Sequence, residues 1–201
     1  MFFRIFRGPI TRTRWWLAGI LLLAACETTV PDQRLPEMTF GHLDAITLNV
    51  ADIQIVTAAA NESAAGDAGF KFPVTPEKAL LRWAEDRLRA GGNQGTARFT
   101  ILAAGVTETQ LKLDRGITGL FKQEQSDRYD ATVEASLEIL DNRGFRRTIA
   151  TARARRSTTI GEEATINERR RRWFDFVEQL IGDFNIEIER VIRRHMVEYI
   201  F

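Results

Sequence analysis

The chain has 201 residues, 44% of them hydrophobic and 27% charged, with a formal net charge of +1. Four of the 28 basic residues precede Cys26 and all 27 acids follow it, so residues 26–201 hold 24 bases against 27 acids. That stretch is one domain of ordinary size, able to build its own core. It lacks the basic excess that a nucleic-acid-binding domain keeps.

The first residues fall into three zones. Arg4, Arg7, Arg12 and Arg14 give a positive start with no acid before Glu27. Leu17 to Ala25 is an unbroken run of apolar and small residues, far shorter than the roughly 20 residues of a membrane-spanning helix. This pattern describes a signal peptide over residues 1–25. Arg12 and Arg14 are not adjacent, so a twin-arginine signal is not indicated. The end of the run, Leu23-Ala24-Ala25-Cys26, resembles the lipobox of bacterial lipoproteins. The resemblance implies diacylglycerol on the Cys26 thiol, cleavage before Cys26, and acylation of the new amine by a chain such as palmitate. Cys26 is the single cysteine, so no intramolecular disulfide competes for it. Left free in an oxidising compartment, it would be a liability. Acyl chains contribute about 0.8 kcal/mol per buried methylene, and two or more hold a protein stably on a membrane. Glu27 is not the aspartate that marks inner-membrane retention in the enteric lipobox family. The expected address is therefore the periplasmic face of the outer membrane, in preference to the inner.

Residues 26–43 contain Pro31, Pro36 and no apolar period, which predicts a tether. The single domain is expected over 44–201. Ile46, Leu48 and Val50 alternate with polar residues, and Ile53 and Ile55 resume the alternation out of phase. That predicts one strand with a bulge near Ala51-Asp52. Thr57 to Thr75, rich in Ala, Gly, Asn and Asp, is expected as a long mobile loop. Thr75 fits a helix N-cap, Pro76 its first position and Glu77 its first turn. Leu80, Leu81, Ala84 and Leu88 make the stripe with Trp83 at its border, and Gly91-Gly92 is the expected stop. A second strand starts near Ala97, with Phe99 and Ile101 on one face, and runs through Val106 toward Leu111 and Leu113.

A hairpin follows. From Tyr129 to Ile139 the odd positions are apolar, while Asp130, Thr132, Glu134, Ser136 and Glu138 hold the even ones. Asp141 to Gly144 is a turn signal. Beyond it Ala150, Ala152 and Ala154 take even positions, and Arg147, Thr151, Arg153 and Arg155 take odd ones. A loop of residues 141–144 sets Val133 opposite Ala152, Glu138 opposite Arg147 and Asp130 opposite Arg155, with apolar groups on one face and opposite charges on the other. From about Glu163 to Tyr199 the period is helical. Trp173, Val177, Leu180, Phe184, Ile188 and Val191 form the stripe, and a bend is expected at Gly182-Asp183.

The order β-α-β-β-β-α predicts an α+β two-layer sandwich: a mostly antiparallel sheet of about four strands with two helices on one face. Behind a lipobox, this order resembles two groups of envelope lipoproteins. One is the lipopolysaccharide-assembly lipoprotein that plugs an outer-membrane translocon. The other is the auxiliary lipoprotein of lipid-handling ABC transporters. The resemblance implies a non-enzymatic role in envelope assembly or lipid transport.

Candidate chemistry is sparse. His42 and His195 are the two histidines, and neither has a second histidine or a cysteine at metal-ligand spacing. No G-x-S-x-G elbow or phosphate loop occurs, so neither an enzyme nor a cofactor is expected. Arg153, Arg155, Arg156, Arg169, Arg170 and Arg172 are candidates for contact with anionic head groups of lipopolysaccharide or phospholipid. Ile117, Leu120 and Phe121, set among glycines and polar residues, are candidates for a partner or membrane contact. The expected partners are the membrane, through lipid on Cys26, and an envelope protein. A periplasmic small-ligand binding module is the alternative function.

Overall fold

The computed structural model describes residues 35–58, 67–111 and 125–201. Its elements are β1 (Ile46–Leu48), β2 (Asp52–Thr57), α1 (Pro76–Arg87), β3 (Leu88–Ala90), β4 (Thr96–Gln110), β5 (Gln125–Leu140), β6 (Arg146–Gly161) and α2 (Ile166–His195). The main sheet has the order β2-β4-β5-β6. β2 lies parallel to β4, and the other neighbours are antiparallel. β1 and β3 form a separate parallel pair. The fold is α+β, as the element order predicts.

One face of the sheet is apolar because the strands alternate. Phe99 and Ile101 of β4, Val133, Ala135 and Leu137 of β5, and Ala150 and Ala152 of β6 are all buried. Each fully buried Val, Leu, Ile or Phe side chain contributes roughly 1.5–3 kcal/mol. α2 lays Trp173, Val177, Leu180, Phe184 and Ile188 on this face, and all five are buried. The alanines of β6 leave the room these large side chains need. α2 begins with a capping box in which Thr165 and Glu168 satisfy each other's backbone N–H groups. It runs unbroken through Gly182 for 30 residues, contrary to the expected bend. An added Cβ at Gly182 would meet nothing within 4 Å, so the glycine reflects no close contact.

The hairpin register differs from the expected one. Val133 opposes Ala154, Glu138 opposes Ile149, and Asp130 opposes Ser157. The loop is one residue longer than expected, with Leu140 opposite Arg146, and Arg147 is extruded before Ile139 meets Thr148. Asp141 organises this turn: its carboxylate accepts from the N–H groups of Arg143 and Phe145, each at 2.9 Å. Gly144 adopts the left-handed conformation, φ 84°. The two extra residues shift the pairing by two positions, so every side chain keeps its expected face.

Four further expectations are corrected. The chain from Ile46 to Thr57 is not one bulged strand but two strands in different sheets. α1 ends at Arg87, and Leu88 is already extended. Gly91 and Gly92 therefore do not stop the helix; a Cβ on Gly92 would lie 2.7 Å from the Val50 nitrogen, so that position serves a close backbone approach. Trp83 is fully buried at the centre of the α1 stripe, edge-on to Phe184 with centroids 5.2 Å apart, while Leu81 is partly buried at the border. Residues 26–34 of the expected tether lie outside the described residues, and in the remainder Met38 and Phe40 are buried in the core. Asp86 holds this segment by accepting from the Phe40 N–H at 2.8 Å and the Thr39 hydroxyl at 2.9 Å. Of the expected loop, residues 59–66 lie outside the described residues. Ala68 and Phe72 are buried, the latter stacked on Trp173 at 5.1 Å.

Val133 is fully buried between the alanines of β6 and α2. Val133→Asp places a charge there without a partner and should lower stability by several kcal/mol. Urea unfolding followed by tryptophan emission measures this, and an unchanged midpoint would contradict the assigned face.

Candidate functional site

Cys26, Ile117, Leu120 and Phe121 lie outside the described residues. The six candidate arginines do not share one surface. Arg153 and Arg155 alternate with buried alanines and are exposed on the open face of the sheet. Arg153 reaches across to Glu134 on β5, its Nε 2.6 Å from Oε2. Arg156 opposes Ala131 and so stands on the helix-covered face, where it pairs with Asp183 of α2. Arg169 turns inward. It donates to Asp127 at 2.8 Å, to the Tyr129 hydroxyl at 3.4 Å and to the Gly161 carbonyl at 3.3 Å. Arg170 and Arg172 are exposed on α2. His42 and His195 are also exposed, and the His195 carbonyl accepts from the Thr148 hydroxyl at 3.1 Å.

Sequence reasoning missed two polar networks. The first joins β4, β5, the N-terminus of α2 and the 3-10 turn Gly69–Lys71. The Tyr129 hydroxyl donates to Glu108 at 2.9 Å, Glu108 also pairs with Lys71, and Arg169 completes the chain. Burial first, then the hydrogen bond to Glu108, push the Tyr129 hydroxyl up from 10.0 to about 12. The second network joins the helices. Arg87 is 3% exposed yet charged. It donates to Asn185 Oδ1 at 3.0 Å and to Glu189 Oε1 at 2.6 Å, while Trp83 Nε1 donates to the same Asn185 oxygen at 2.8 Å. The Arg87 Nε has no partner. A signal was present: Arg87 follows Leu80 and Ala84 on the apolar stripe, where a lone charge is out of pattern.

Arg87 and Glu189 line a cavity of about 320 Å³. Its apolar walls include Ile46, Ile192 and Ile200, and Phe201 stands at its side. Among the described residues no three His, Cys, Asp or Glu side chains converge to hold a metal ion. No described helix is long and apolar enough to cross a membrane. The geometry offers ion pairing, strand pairing and a small cavity of mixed polar and apolar lining beside the Arg87 guanidinium.

No protein-family model matches the chain. No curated protein matches it either. Among solved structures, one match is the 2.35 Å crystal structure of a minor lipoprotein from Acinetobacter baumannii. It shares 16% identity with a TM-score of 0.36, covering 72% of this chain and 92% of that one. At that TM-score the two backbones diverge widely, and the functional reading rests on this chain's own residues.

Removing one partner of a buried ion pair leaves the other uncompensated, whereas replacing both removes the problem. Glu189 is partly exposed, which moderates the cost. Arg87→Ala should therefore destabilise by about 2–3 kcal/mol, and Arg87→Met with Glu189→Leu should recover much of it, as read by chemical denaturation. Tyr129 supplies a pH test. Its folded ionisation lies above its unfolded value of 10.0, at about 12. Its contribution is thus complete below pH 10 and lost as pH rises toward 12. Over that window the melting temperature of Tyr129→Phe should fall less steeply than that of the unaltered protein.

Proposed function

We propose that this chain is a non-enzymatic cell-envelope lipoprotein. Lipid on Cys26 holds it on the periplasmic face of the outer membrane, and its domain binds a membrane-protein partner or a lipid head group in envelope assembly or lipid transport. The observation that carries the reading is Leu23-Ala24-Ala25-Cys26 closing a short apolar run behind four arginines. The architecture is consistent with it. The helices cover one sheet face and leave the other, bearing Glu134, Arg153 and Arg155, open for contact.

A second reading has one specific observation in its favour. The cavity beside Arg87 suits a small ligand that offers polar groups to Arg87, Glu189 and Arg193 beside an apolar part, and native mass spectrometry of the purified protein would reveal a bound molecule.

Cys26→Ser tests the leading reading. The substitution should abolish palmitate incorporation and move the protein from the membrane fraction to a soluble or unprocessed form. Equal membrane association and identical processing of both proteins would overturn it.

A further inference from the structure

β6 is the terminal strand of the main sheet and is 16 residues long, roughly 53 Å. β5 pairs with it on one side along nearly its whole length. No described strand pairs with it on the other. The opposite edge, β2, has six residues, and short edges are a common protection against unwanted pairing. β6 has no such protection by length.

Its composition is one-sided. From Arg146 to Gly161 the strand carries Arg146, Arg147, Arg153, Arg155 and Arg156 and no acid. On the open face the charge alternates from strand to strand: Glu134 and Glu138 stand on β5, Arg153 and Arg155 on β6. Arg153 is half exposed although paired with Glu134, and Arg155 is exposed.

We propose that the outer edge of β6 around Arg153 and Arg155, where no described strand pairs, docks an extended, acid-bearing segment of a partner protein. That segment adds to the sheet as a fifth strand, with its acids beside Arg153 and Arg155. Backbone hydrogen bonds would give the affinity and the arginines the choice of partner, as in strand-addition recognition generally. A second copy of the chain fits poorly, because two β6 edges would bring like charges together. The same arginines that discourage self-association select an acidic strand and extend the Glu-Arg alternation by one step. This deepens the proposed function by stating how a protein partner is held, and it rests on that reading.

The test uses the full acylated protein in detergent micelles with two fluorescent peptides of equal length. One alternates glutamate with valine and the other lysine with valine. The glutamate peptide should give a saturable rise in anisotropy that weakens with added salt, since exposed charges are screened over about 8 Å at physiological ionic strength. Hydrogen exchange should slow along the β6 backbone when it binds. Arg153→Glu with Arg155→Glu should reverse the preference toward the lysine peptide, and an unchanged melting temperature shows that the variant is folded. Equal binding of the two peptides overturns the proposal, as does protection gained away from β6. So does β6 protection that grows with protein concentration in the absence of peptide, which would assign the edge to a second copy. Intact mass of the same sample reports acylation of Cys26, so failure of the anchor reading is a separate result.

Discussion

The packing of α2 along β6 and β5 is the contact on which the other elements depend. A one-sided sheet with strands of 15 and 16 residues exposes a long apolar face that short helices cannot cover. α2, with 30 residues, is about 45 Å long and nearly matches it. The helix approaches closely because β6 presents only Ala150, Ala152 and Ala154 over this stretch, and Ala135 of β5 faces Ala152. Volume is conserved across the interface, with small residues on the strand and Trp, Phe and Leu on the helix. α1 completes the layer beside α2, with Trp83 wedged between Phe99 and Phe184.

The same arrangement explains where polar groups enter the interior. Where the two helices meet, Arg87, Asn185, Glu189 and the Trp83 indole bond to one another, with only the Arg87 Nε left over in this group. A buried ion pair is a weak source of stability and a stronger source of specificity when its partners are fixed. Here it joins two helices far apart in sequence and contributes to the lining of the small cavity. At the far end of α2, Tyr129 and Arg169 link strands to helix in the same way.

The two faces of the sheet differ in burial. The covered face is committed to stability. The open face and the β6 edge carry alternating charges that contribute little to stability, because exposed pairs are worth about 0–1 kcal/mol each. With a lipid on Cys26 the domain would meet partners near a membrane surface, where the stretch of β6 that no described strand covers would be within reach.

Much of the fold was legible in the residues, because burial on one side imposes a period that a single sequence displays. The alternation of β5 and β6, the stripe of α2, the Thr75 start and the α+β class all follow from local pattern, whereas the Thr165 capping box emerged only in the structure. The pairing of β6 was readable by face but not by position: parity survives a two-residue shift, and the turn length was set by Asp141 and the extruded Arg147. The resemblance of Leu23-Ala24-Ala25-Cys26 to a lipobox is a reading of linear sequence, and those residues lie outside the described ones. Tertiary structure alone decided the rest. Whether Met38 and Phe40 belonged to a tether or to the core depended on Asp86 of α1 being there to receive the Phe40 N–H. Whether the arginines formed one patch depended on the strand that divides Arg153 and Arg155 from Arg156, and on the acids that claim Arg156 and Arg169. Such contacts join residues tens of positions apart, and local composition carries no trace of them.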